Sequence, residues 1–299
     1  MRWVRPVLNF YLRLTEKTYL RRAYDIPLAR KQFERKARFF FHAPSGTSRS
    51  DGEIEGVPVL WVNKADVGPI VLYLHGGAYV FGSPYTHSAM IGRLLRDIEA
   101  SACLPKYRLA PEHPFPAALE DAEKVYLALV KTGRPIFIGG DSAGGGLALA
   151  LLARICAQNM PQPLGVFAFS PLTDCTFSNE SIKSNARSDV MLPAERAGEM
   201  IALYRGDAAA NDPGLSPVFG EFRNACPVWL TAGDTEILYD DTVKMAERLR
   251  SQGVEVDVTI GRDLPHVWPI FHNILPEGRR SLLAVSLWIS SLANSEAGN

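Results

Sequence analysis

A serine between glycines, a histidine-glycine-glycine run and a late histidine are the residues whose types and spacing could do chemistry. The serine is Ser142, in Gly140-Asp141-Ser142-Ala143-Gly144. An apolar run, Ile136–Ile138, precedes it, and a helix-forming run, Leu147–Ala157, follows. A G-x-S-x-G string alone would be an ordinary glycine-rich turn. Between a buried strand and a helix it becomes a nucleophile elbow. Gly140 and Gly144 let backbone approach where a Cβ would obstruct. The turn offers Ser142 at a helix N-terminus, where backbone N–H groups and the helix dipole favour developing negative charge. Ser142 is therefore the expected nucleophile.

The second element is His75-Gly76-Gly77-Ala78, directly after the apolar run Ile70–Leu74. Acyl transfer needs donors aimed at an oxyanion, and small residues leave backbone N–H groups free to face it. The N–H groups of Gly77, Ala78 and Ala143 are the expected oxyanion hole, with Gly76 supplying the turn and His75 anchoring the loop. A general base follows the nucleophile in such a chain order. Of six histidines only His266 and His272 come late enough, and His266 lies in a loop just past the apolar run Val254–Ile260. His266 is the expected base, and His272 is read as a packing or surface residue. Two carboxylates, Asp234 and Glu236, follow the run Val228–Thr231, and either can orient the imidazole and stabilise its charged form.

These residues need a scaffold. Apolar runs at Val57–Val62, Ile70–Leu74, Ile136–Ile138, Gly165–Phe169, Val228–Thr231 and Val254–Ile260 read as strands, several of them buried on both faces. Helical segments at 86–98, 117–131, 143–158, 242–252 and 278–292 separate them, so the fold class is α/β with a mostly parallel sheet covered on both sides. Asp240 and Asp241 are expected to cap the helix that follows them. The interval 175–225, rich in polar residues and proline, breaks the alternation and holds one helix near Pro193–Tyr204. Two further helices, over 6–22 and 27–38, precede the first strand. Ligands of open α/β sheets bind beyond the carboxyl ends of the strands. Both added segments are expected to form a lid there.

The stretch Tyr107-Arg108-Leu109-Ala110-Pro111-Glu112-His113-Pro114-Phe115-Pro116-Ala117-Ala118 joins the elbow and the His-Gly-Gly loop. Together they resemble the hormone-sensitive lipase family of esterases, bacterial family IV. The resemblance implies an α/β-hydrolase core over 46–174 and 226–299. It also implies a helical cap in two parts, 1–45 and 175–225. It implies hydrolysis of small, short-acyl carboxylic esters through an acyl-enzyme, with no cofactor and no metal. The family's acid opens a pattern of acid, any residue, Leu, any residue, Asp. Glu236-Ile237-Leu238-Tyr239-Asp240 fits it, and the interval from Glu236 to His266 suits the family. Glu236 is therefore preferred to Asp234. Tyr79, Val80, Phe81, Met191, Leu203, Leu238, Val267 and Trp268 are the candidate pocket residues. Two departures stand out: Ala78 replaces a usual glycine, and Lys106 stands where an acid is common. An amidase or deacetylase with the same triad is the alternative. A ligand-binding receptor on this fold is disfavoured by the presence of His266.

The chain balances 32 basic against 32 acidic residues, which gives no global sign of a nucleic-acid partner. The balance hides an asymmetry. Residues 1–49 hold twelve Lys or Arg against three Asp or Glu, a net of +9, so the remainder carries −9. The first helix has apolar residues at helical spacing between its basic ones. It is expected to dock on the acidic body; contact with an anionic membrane surface is the lesser expectation, since a lid role already gives an apolar face something to cover. Four cysteines without metal or disulfide spacing read as single buried thiols of a reducing compartment. No signal-peptide pattern and no uncharged run of about 18 residues is found. The expected location is cytoplasmic, and a homodimer is left open.

Overall fold

The computed structural model describes residues 3–297. Eight strands form one sheet: β1 Arg49–Ile54, β2 Val57–Val62, β3 Ile70–Leu74, β4 Ser101–Pro105, β5 Ile136–Asp141, β6 Gly165–Phe169, β7 Val228–Gly233 and β8 Val256–Gly261. Their order is β1-β2-β4-β3-β5-β6-β7-β8, with β2 antiparallel to both of its neighbours and every other pair parallel. The helices are α1 Val4–Leu12, α2 Thr18–Arg21, α3 Ile26–Phe40, α4 Pro84–Leu94, α5 Ala117–Val130, α6 Ala143–Ala157, α7 Ser181–Ser184, α8 Ala194–Arg205, α9 Tyr239–Ser251 and α10 Pro276–Ala297. A π-helical turn, Arg13–Lys17, joins α1 to α2.

Side chains alternate across a strand, so a central sheet divides its apolar residues between two cores. Leu72, Leu74, Ile138, Val166, Ala168 and Leu230 pack with α5, α6 and α9 on one face. Val71, Tyr73, Phe137, Phe167 and Phe169 pack with α4 and α10 on the other, where Leu8 and Leu12 of α1 join them. The central strands β3, β4, β5 and β6 are buried along their whole length. This is why β3, β5 and β6 read as continuous apolar runs. No helix among the described residues is long and apolar enough to cross a membrane.

Several boundaries differ from expectation for physical reasons. β1 was not foreseen: it is an exposed edge strand of sequence RSDGEI, with no apolar alternation to reveal it. β4 was hidden by its small and weakly apolar residues, SACLP. The helix expected over 86–98 ends at Leu94 and tightens into a 3₁₀ turn, Leu95–Asp97. Asp240 and Asp241 do not cap a helix that follows them. They lie in the first turn of α9, which begins at Tyr239. Their carboxylates hold the segment after β6 instead. Asp241 accepts from the N–H groups of Thr173 and Asp174 and from Asn179 Nδ2, and Asp240 accepts from the N–H of Ser181. Three cysteines are buried, Cys156 is half-buried, and all four are free.

Candidate active site

Five loops that leave the carboxyl ends of parallel strands converge on one place. They follow β3, β5, β6, β7 and β8, and carry respectively the His75 loop, Ser142, Ser170, Glu236 and His266. Parallel strands put all these ends on one edge of the sheet, which is how residues over 190 positions apart meet.

Ser142 sits between β5 and α6 with φ 54° and ψ −123°. This is a strained conformation for a residue with a Cβ, and the surrounding bonds enforce it. Its N–H donates to Phe169 O at 2.8 Å, and its carbonyl accepts from Gly146 and Leu172, both at 3.0 Å. Gly144 is required here: a Cβ on it would run into the carbonyl oxygens of Leu74 and His75. The turn thus presses the elbow against the end of β3.

His266 Nε2 lies 2.9 Å from Ser142 Oγ, and His266 Nδ1 lies 2.6 Å from Glu236 Oε2. The other carboxylate oxygen of Glu236 accepts from Ser170 Oγ at 2.8 Å and from the Gly233 N–H. Ser170 Oγ also accepts from the N–H of Val267, so one hydroxyl steadies both the acid and the residue after the histidine. The structure brings Ser142, His266 and Glu236 together. Asp234 is directed elsewhere: its Oδ1 accepts from the Asp263 N–H at 2.7 Å and braces the loop that leads to His266. Burial works to lower the basicity of His266, but the Glu236 carboxylate, helped by Asp189 and Asp141, outweighs it, and the imidazole pKa is raised above the ordinary value.

Gly77 and Ala78 lie outside helices and strands, and their N–H groups make no hydrogen bond among the described residues. Ala143 opens α6, where an N–H has no intrahelical acceptor. These are the three donors expected from the sequence. Gly77 takes φ 123° and Ala78 φ 52°. A Cβ on Gly77 would collide with Phe81 O, so glycine is needed there. The loop is held from behind by Asp141, whose Oδ1 accepts from Tyr73 Oη at 2.8 Å and from the Gly76 N–H at 3.1 Å. His87 Nε2 stands 3.3 Å from its other oxygen. Burial opposes the Asp141 charge, yet His87 and Tyr73 prevail and hold its pKa below the usual carboxylate value. His75 bonds through Nδ1 to Gly76 O at 2.8 Å and stacks on Tyr107, whose hydroxyl donates to His75 O. Burial lowers its pKa to about 3, so it is neutral and structural.

A cavity of about 660 Å³ opens over Ser142. Its floor is Gly76, Gly77, Ala78, Ser142 and His266. Its walls are apolar side chains of α1 and α3, joined by Leu192, Ile270 and Phe271. Of the pocket residues expected from sequence, Phe81, Met191 and Val267 line it. The other five do not. Tyr79 is turned inward and stacks on Tyr204 at 3.7 Å, and Val80 is fully buried. Leu203 faces solvent on α8, and Leu238 is packed in the core at the start of α9. Trp268 packs in the second core, its indole N–H donating to Ser281.

Sequence reasoning missed Ser170, Asp141, His87 and Asp189. Asp189 accepts from the N–H groups of Met191 and Leu192 through one oxygen and from Ile237 through the other. It ties the cavity wall to the loop of Glu236; burial raises its pKa. A signal did exist for Ser170, which directly follows a parallel strand. Among the described residues no group of three or more His, Cys, Asp or Glu is placed to hold a metal ion.

Residues 71–270 match the family described as alpha/beta hydrolase fold. The chain is similar to an acetyl-hydrolase of Streptomyces hygroscopicus, 33% identical over 74% of this chain and 76% of that protein. It is similar to an esterase of Acinetobacter venetianus, 32% identical over 77% of each. Among solved structures, EstE5 soaked with p-nitrophenyl butyrate superposes with a TM-score of 0.90 at 34% identity, covering 97% of this chain and 99% of that chain. An esterase of the bacterial hormone-sensitive lipase family superposes with a TM-score of 0.84 at 32% identity, covering 88% and 90%.

Proposed function

We propose that this chain, which belongs to the hormone-sensitive lipase family of α/β-hydrolases and is a carboxylic ester hydrolase, works through an acyl-enzyme on Ser142. The observation that carries the proposal is the hydrogen-bonded chain from Ser142 Oγ through His266 to Glu236. In this reading Ser142 Oγ attacks the ester carbonyl while His266 Nε2 takes its proton. The oxyanion receives the N–H groups of Gly77, Ala78 and Ala143. The imidazolium then protonates the leaving alcohol, leaving the acyl group on Ser142. Water, deprotonated by the same histidine, releases the acid and restores the serine. Glu236 holds the tautomer that keeps Nε2 an acceptor and stabilises the imidazolium.

Residues 1–45 and 175–225 act as the two parts of the cap in this reading. Residues of the N-terminal part, chiefly from α1 and α3, supply most of the cavity wall, while Met191 and Leu192 come from the second part. Short-acyl esters fit the site, and the methyl of Ala78 narrows it beside the oxyanion donors. The apolar cavity also extends well past the volume of an acetyl or butyryl group. Esters with a larger hydrocarbon part are therefore accepted as well. A p-nitrophenyl ester series of increasing acyl length, run beside a p-nitroanilide, tests the reading. Ester turnover with a p-nitrophenol burst, loss of both in Ser142→Ala, and much slower anilide cleavage are expected. Unchanged turnover in Ser142→Ala, or faster cleavage of the anilide, overturns it.

A further inference from the structure

α1 has two apolar faces. Leu8 and Leu12, one turn apart, enter the core beneath it. Trp3, Val7 and Phe10, continued by Leu14 in the π-helical turn, recur at steps of three and four along the other side, and they are 79%, 64%, 66% and 58% exposed. Such spacing places them in one stripe. A lid that only closed a cavity would need the first face and would gain solubility from a polar second one. The stripe is also continuous with the site, because Trp3 and Val7 border the cavity as well.

α3 extends this surface. Leu28 and Phe39 are exposed, and between them Lys31, Arg35 and Arg38 face solvent with no ion pair among the described residues. The two helices meet where Tyr11 packs on Phe40, which in turn touches Phe39. Apolar and aromatic side chains interleaved with unpaired cations define a surface that lies in a lipid headgroup layer.

We propose that the outer face of α1 and α3 docks on an anionic lipid bilayer, and that the cavity mouth between them admits hydrophobic esters held there. The charge selects this occupant. Residues 1–49 carry +9, which an anionic leaflet attracts at roughly 1 kcal/mol per Lys or Arg near its surface. A second copy of the chain would bring the same +9 against it, and like charge disfavours that contact.

The test is co-sedimentation of full-length Ser142→Ala protein with vesicles. One set is phosphatidylcholine alone, the other equimolar phosphatidylcholine and phosphatidylglycerol. Reading binding in the Ser142→Ala background keeps it separate from the proposed chemistry. Binding to the mixed vesicles alone, released by high salt, is expected. Phe10→Glu/Leu14→Glu and Lys31→Glu/Arg35→Glu should each weaken it about tenfold or more. None of these four residues lines the cavity. In the active background both variants should hydrolyse dissolved p-nitrophenyl butyrate like the parent. Equal binding to both vesicle types, no binding to either, or binding indifferent to the charge reversal overturns the proposal. So does a dimer that Phe10→Glu/Leu14→Glu dissolves while vesicle binding is absent, which would assign the face to a second copy.

Discussion

At the scale of single residues the sharpest choice is between two carboxylates two positions apart. Both were legible as candidates, because both follow a strand at the sheet's carboxyl edge. The register of the family's acid-x-Leu-x-Asp pattern favours Glu236, and the geometry agrees: Glu236 is 2.6 Å from the imidazole, whereas Asp234 holds the backbone of Asp263. Glu236→Gln should lower kcat by about 10³–10⁴-fold, as loss of the orienting acid does in such triads. Asp234→Asn should cost far less. The pH profile adds a sign. His266 must be neutral to accept the serine proton, and its pKa is raised by Glu236 against the opposing effect of burial. kcat/KM of the parent should therefore fall as pH drops through a value above the ordinary imidazole range. In Glu236→Gln burial is opposed only by the smaller effects of Asp189 and Asp141, so the residual acid limb should move to lower pH. A limb that does not move, or moves upward, would show that Glu236 does not bear on the histidine. What the sequence could not disclose was Ser170, whose hydroxyl serves two partners at once. Such a role depends on distances between loops, which no spacing within one segment encodes.

At the scale of elements, buried strands and amphipathic helices were legible because each has its own periodicity. β1 and β4 were not, since one is polar and the other too poor in large apolar residues to show a pattern. The attachment of the N-terminal helices was half legible: their charge was visible, its use was not. Lys17 donates to the carbonyls of Ala186 and Asp189, and Arg13 to that of Ser188. Arg30 donates to the carbonyls of Val80 and Ala110 and pairs through two nitrogens with Glu112. The guanidinium fork is what allows four acceptors to be met together. Those bonds fix α3 beside the oxyanion loop. Arg30→Ala should destabilise the protein by about 2 kcal/mol, and Arg30→Lys should recover little of it. Urea denaturation checks both. If lysine restores full stability, net charge and not the fork holds α3. Because Val80 closes the turn that begins at Gly77, both variants should also lower kcat more than they raise KM.

At the scale of the whole molecule, a +9 segment lies on a −9 body, and net attraction is the simple explanation of why the N-terminal helices dock there. The contacts argue otherwise. The ion pairs that leave the basic segment, Arg5–Asp263 and Arg30–Glu112 to the core and Arg21–Glu195 to the 175–225 insertion, each expose half or more of the acidic side chain. Pairs of that kind contribute at most about 1 kcal/mol and are screened within about 10 Å at 0.1 M salt. The better-sheltered cation, Lys17, ends on carbonyl oxygens, and Leu8 and Leu12 are held by burial. Salt weakens neither of these to a comparable degree. Raising NaCl from low concentration to 0.5 M should therefore lower Tm by no more than a few degrees. Turnover of a small dissolved ester should stay near its low-salt value. The same titration should strip the protein from anionic vesicles, because the cations of α3 that have no ion-pair partner among the described residues act outward. Parallel salt titrations of Tm, turnover and vesicle binding separate the two uses of the charge. If all three fall together, the basic segment is spent on holding the lid and not on what lies beyond it.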